Sequence, residues 1–106
     1  MKKVYNKLVR DKVIDVIINN KETPVYKTLD DPEFKKHLIE KLQEETKEVL
    51  YAETDDALLE ELAEVLEIVF AIADINEKRE ELLNIMKKKR TDRGSYKKRI
   101  FLEGIE

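Results

Sequence analysis

The 106-residue chain has no cysteine and no tryptophan, and only two glycines and two prolines. Without cysteine it can build no disulfide, no thiolate zinc site and no thiol nucleophile, a composition suited to a reducing cytosol. Both glycines, Gly94 and Gly104, lie near the C-terminus, so residues 1–93 hold no Gly-rich phosphate loop of the Walker A or dinucleotide-binding type. A metal site must then use oxygen donors or the single histidine, His37. Charge of one sign is also lacking: 21 Lys and Arg stand against 24 Asp and Glu, which gives no compositional attraction to nucleic acid. No apolar stretch reaches the ~18 residues of a membrane span. Met1-Lys2-Lys3 leads into Val4-Tyr5-Asn6-Lys7 rather than a secretory apolar core. The expectation is a cytoplasmic protein with no membrane and no stable nucleic-acid partner.

What the chain does contain is charge and aliphatic side chains in quantity. Charged residues make up 42% of it, yet Ile, Leu, Val and Phe number 33, enough for collapse into one domain spanning 1–106. Scarce Gly and Pro with abundant Leu, Glu, Lys and Ala predict long helices. Val13, Ile14 and Ile17 mark a short first helix over residues 10–19, ended by Asn19-Asn20. Residues 23–29, with Pro24 and β-formers, form an extended connector. Asp31-Pro32-Glu33 combines a cap, a first-turn proline and a first-turn acid, and opens a second helix running to about Glu53. Thr54-Asp55-Asp56 breaks the chain and caps a third helix from about Asp56 to Asp74; after a tight turn a fourth runs from about Asn76 to Arg93, with Gly94 as terminator. The tail, residues 96–102, fits either strand-like or extended packing. The fold class predicted is all-α, a four-helix bundle with short extended N- and C-terminal segments.

Helical phase then singles out particular acids. On the second helix Phe34, Leu38, Leu42, Val49 and Ala52 share a stripe, and Glu45 falls inside it, with Glu48 and Glu44 on its flank. On the third helix the apolar arc covers more than half the circumference, with Glu61 inside it and Glu64 on its edge, whereas Glu60, Glu67 and Asp74 are on the polar side. Burying an unpaired carboxylate costs several kcal/mol, so such acids require protons, cationic partners or a metal. Glu45/Glu48 and Glu61/Glu64 are each i,i+3 pairs on neighbouring turns, and antiparallel packing of the two helices would bring both pairs together. Four hard oxygen donors with no soft ligand suit Mg²⁺, or Mn²⁺, which also take phosphate oxygens as ligands. The competing structural explanation is a charged bundle in which Lys41 and Lys47 neutralise the intrusive glutamates.

On the fourth helix the stripe of Leu82, Ile85 and Met86 turns cationic at Lys89 and Arg93, which suits phosphate neutralisation, or else snorkelling and the helix's negative pole. His37 falls off the core stripe and reads as a surface residue. The run Lys87 to Arg90 reads as a solvated face rather than a nucleic-acid element. The wide apolar arc of the third helix exceeds what a small four-helix unit covers from one side, and predicts burial against a second subunit, in a homodimer or higher homo-oligomer.

Glu44-Glu45-x-x-Glu48 followed twelve residues later by Glu61-x-x-Glu64 resembles the EExxE and ExxD motifs of MazG-like all-α nucleoside triphosphate pyrophosphohydrolases. Tyr5-Asn6-Lys7-Leu8-Val9-Arg10-Asp11-Lys12, Lys41-Leu42-Gln43-Glu44-Glu45, and Lys89 with Arg93-Gly94-Ser95-Tyr96 extend the likeness over nearly the whole chain, toward the short phosphoribosyl-ATP pyrophosphohydrolase-like branch. Glu64 stands where that family usually has Asp, and Arg93-Gly94-Ser95-Tyr96 where it has an RGGF-like string. Val65-Leu66-Glu67-Ile68 replaces the DLLYH-like stretch of the histidine-pathway enzyme, which argues against phosphoribosyl-ATP itself. The resemblance implies a MazG-like bundle and Mg²⁺-dependent hydrolysis of a nucleoside triphosphate, standard or modified, to the monophosphate and pyrophosphate. Glu45, Glu48, Glu61 and Glu64 would hold the metal, Glu44 or Glu45 would serve as acid–base group, Lys89 and Arg93 would clamp the triphosphate, and Arg10 or Lys12 would approach it. A non-catalytic helical regulator that keeps the bundle is the rival reading.

Overall fold

Asp30 sets the start of the longest helix. Its backbone is extended, its carboxylate accepts a 3.0 Å hydrogen bond from the Glu33 N–H, and Pro32 sits in the first turn, where no N–H is needed. The cap thus falls one residue earlier than the sequence predicts, because Asp30 and Asp31 offer the same chemistry and Pro32 is as well placed at the second helical position as at the first. In the computed structural model, which describes residues 3–106, four helices follow one another: α1 (Val13–Asn19), α2 (Asp31–Tyr51), α3 (Asp55–Asp74) and α4 (Arg79–Arg93). Met1 and Lys2 of the basic start lie outside the described residues. No strand occurs among the described residues, so the tail after Gly94 is irregular rather than strand-like.

Helix ends follow local chemistry closely. The Thr54 hydroxyl accepts from the Ala57 N–H at 3.1 Å and starts α3 at Asp55, one residue before the expected Asp56. α1 is shorter than predicted, beginning at Val13 without a side-chain cap, and closes through Lys21 at φ 62, whose N–H bonds to the Ile18 carbonyl while that of Glu22 bonds to Ile17. A similar left-handed residue, Glu77 at φ 56, turns the chain between α3 and α4 and delays α4 to Arg79. Gly94, at φ 85, terminates α4 as its position predicts.

α2 and α3, 21 and 20 residues joined by the three residues 52–54, pack as an antiparallel hairpin. Leu38 of α2 and Ile68 of α3 are its buried centre, each about 5% exposed. α3 meets α4 only briefly, and α1 comes within packing distance of no other helix. Arg79 fixes the α3–α4 corner: its guanidinium grips both oxygens of Asp74, at 3.0 and 2.6 Å, and stacks on the Phe70 ring with 4.4 Å to the centroid. Beyond that corner α4 leaves the hairpin, and from Leu83 to Glu106 every residue is exposed. An open apolar groove of about 570 Å³, lined by Leu42, Val69, Ile72, Leu82 and Ile85, separates the start of α4 from the hairpin. Within one chain the four helices therefore do not close into a bundle. The radius of gyration is 18.4 Å, against about 13 Å for a compact chain near this length.

Candidate functional site

The hairpin geometry brings Glu45 and Glu61, two of the acids singled out by helical phase, together on its packed stripe. Glu45 lies seven residues after Leu38 on α2, and Glu61 seven residues before Ile68 on α3, so each sits two turns along the same stripe as the buried residue of its own helix. Antiparallel packing sets the two glutamates opposite one another. Both are half-buried, as is Glu64, while Glu48 is exposed on the flank.

Glu61 is the centre of strain. Its Oε2 atom is shielded from solvent and has no hydrogen-bond partner. Its carboxyl is held above the ordinary carboxylate value, first because in the protonated form it hydrogen-bonds Glu45, then through burial, and then through the negative charges of Glu45, Glu48 and Glu64. Among the described residues no cation pairs with Glu61, and proton uptake relieves it. Neither Lys41 nor Lys47 pairs with any of the four acids among the described residues, so the neutralising lysines of the charged-bundle explanation are not in place.

One cation does reach the cluster, from a distant part of the chain. Arg10 Nη2 donates to Glu64 Oε1 at 2.8 Å, and the pairing holds the guanidinium above its ordinary value, with the charge of Glu67 adding to it. The N-terminal segment is thereby tied to the third turn of α3. Lys12, two residues on, is exposed where α1 begins. Glu44 is directed elsewhere: it borders a small cleft with Asn6, Lys7, Leu8, His37 and Glu40, where His37 Nδ1 lies 3.5 Å from Glu40 Oε2. Lys89 and Arg93 are exposed on the free part of α4, and that helix's own ion pair joins Lys88 to Asp92 at 2.6 Å.

Among the described residues no three acid or histidine side chains stand close enough to form a ready-made metal cage. Like charges gathered without a counterion repel, and one oxygen of Glu64 is already engaged by Arg10. The donor set nevertheless has the right chemistry for a hard divalent cation, all carboxylate oxygens, one of them shielded and unpaired. The Arg10–Glu64 contact is the feature that spacing misses: 54 residues separate its partners, and no helical period connects them. No protein-family model, no curated protein and no solved structure matches this chain.

Proposed function

We propose that the chain is a Mg²⁺-dependent pyrophosphohydrolase that converts a nucleoside triphosphate, standard or modified, to the monophosphate and pyrophosphate. The observation that carries the proposal is Glu61, which lies against Glu45 in the packed stripe of a helical hairpin with one carboxylate oxygen shielded and unpartnered. A stability-driven core would place an aliphatic side chain there. The resemblance of Glu44-Glu45-x-x-Glu48 and Glu61-x-x-Glu64 to MazG-like motifs supports the same activity.

In this reading Glu45, Glu48, Glu61 and Glu64 hold the metal, Mg²⁺ or alternatively Mn²⁺. When bound, the ion supplies charge neutralisation to the phosphates and polarises a water molecule. Glu45, paired with Glu61 in the cluster, is the better placed proton acceptor; Glu44, on the neighbouring cleft, serves through solvent at most. Arg10 releases Glu64 and turns its guanidinium to a phosphate oxygen, where a planar fork binds well; Lys12 stands two residues away to assist. Lys89 and Arg93 neutralise the triphosphate.

A homodimer or larger homo-oligomer belongs to the proposal. The chain exposes 10399 Å², against about 6,200 Å² expected for a folded monomer of this length, and Leu59, Leu62 and Leu66 show 64%, 44% and 52% of their surface along one side of α3. The same exposed face is what favours the second reading, a helical regulator that uses it for a partner. A panel of nucleoside triphosphates with Mg²⁺, scored for both products, separates the two: paired monophosphate and pyrophosphate are expected, and release of neither from any triphosphate would leave the regulator.

A further inference from the structure

Glu44 belongs to the acid string of α2 but not to its packed stripe. It is exposed, and with His37, Glu40 and Lys41, which precede it by seven, four and three residues, it shares one face of the helix. The N-terminal segment crosses that face. Asn6, in the left-handed conformation at φ 46, and the half-buried Leu8 border a partly open cleft of about 130 Å³ there. The acid cluster lies next to it: Glu45 is the residue after Glu44, and Arg10, which reaches Glu64, follows Leu8 by two residues, no more than about 7 Å along an extended chain.

Two polar groups of the cleft are already engaged. Glu40 Oε2 lies 3.5 Å from His37 Nδ1, and Lys7 Nζ stands over the Tyr5 ring, 5.8 Å from its centroid. Lys41 and Glu44 are left. Among the described residues neither forms an ion pair, with the other or with any third side chain. A carboxylate and an ammonium side by side, with an apolar side chain across from them, suit a flat molecule whose edge carries donors and, next to them, an acceptor.

Resting on the nucleoside triphosphate hydrolysis proposed above, we propose that this cleft seats the base of the substrate and that the base is guanine. Guanine presents N1–H and its 2-amino group as adjacent donors, which one ionised carboxylate accepts in a two-pronged pair, with O6 beside them as an acceptor for an ammonium. Adenine and cytosine place a ring-nitrogen lone pair next to the amino group, and uracil places its N3–H between two carbonyls, so each would turn an acceptor toward Glu44. Glu44 therefore takes N1–H and the 2-amino group, Lys41 takes O6, Leu8 lies against the ring, and the phosphates extend toward the neighbouring acid cluster. Glu44 acts in this arrangement as a specificity residue.

His37 is the single histidine of the chain and borders the cleft, so the proton on its Cε1 is a unique NMR reporter there. With Mg²⁺ present, guanosine monophosphate should shift this signal saturably. Inosine monophosphate, which lacks only the 2-amino group, should need a roughly tenfold higher concentration, and adenosine, cytidine and uridine monophosphates should need more than guanosine monophosphate by at least as much. Glu44→Gln, with an unchanged melting temperature, should bring the guanosine and inosine values together. The wild-type ranking should recur in kcat/KM for pyrophosphate release from the triphosphates. Equal responses to all bases, a response to none, or a guanine preference that survives in Glu44→Gln would overturn the proposal. If guanosine monophosphate is selected but no triphosphate releases pyrophosphate, the hydrolase reading fails and the cleft stands; release with the same kcat/KM from every base leaves the hydrolase and removes the cleft.

Discussion

Glu61 puts a carboxyl group within the apolar arc of α3, where burial and the charges of Glu45, Glu48 and Glu64 disfavour its ionised form. Because its folded value lies above the unfolded 4.5, the folded state keeps a proton that the unfolded state has lost, so stability should fall as pH rises above about 4.5 and level off beyond the raised value. Glu61→Gln removes this slope: melting temperatures of the metal-free variant should vary less with pH in that window and exceed those of the wild type at neutral pH. Arg10 gives a second prediction at this scale. Its pair with Glu64 is largely exposed, with side-chain exposures of 57% and 40%, so solvent screens it and breaking it costs little stability. Yet the guanidinium competes with a cation for the same oxygen. Arg10→Met should leave the melting temperature almost unchanged without metal and lower the Mg²⁺ concentration needed to raise it; an increase in that concentration would show that Arg10 assists rather than competes. Spacing alone identified Glu45 and Glu61 as out of place, since phase on a helix is fixed by residue number. It could not identify the partner of Glu64, because the path of residues 3–12 depends on tertiary packing.

Helix identity was legible because each long helix carries its own boundary chemistry. Asp30, Thr54 and Gly94 are a cap, a cap and a terminator by residue type, and they act as such. Removing the first two, as Asp30→Ala or Thr54→Ala, should each cost about 1 kcal/mol in denaturant unfolding. The helix starts that sequence reading places more than one residue away are those without such chemistry. α1 starts at Lys12–Val13 with no capping side chain, and the α3–α4 turn is built on Glu77 in the left-handed region, a conformation more often given to glycine or asparagine. The direction of α4 was equally hidden. It depends on Arg79, Asp74 and Phe70 meeting at one corner, a contact set by geometry and not by hydrophobic period.

At the scale of the molecule, the wide apolar arc of α3 had two causes that the sequence could not separate. One side of it, with Val65 and Ile68, packs within the hairpin, while Leu59, Leu62 and Leu66 on the other side remain open. Replacing Leu62 and Leu66 together by Glu should yield a monomer by sedimentation, with a lower melting temperature, if that face is an interface between copies. The central assignment, however, stands on the acid cluster and on its chemistry. Its most direct test is product analysis of the wild type and Glu61→Gln with Mg²⁺ and a panel of nucleoside triphosphates. Equal amounts of monophosphate and pyrophosphate are expected from at least one triphosphate, lost by roughly 10–100-fold in the variant; a folded wild type that releases pyrophosphate from none, or a variant as active as the wild type, would contradict it.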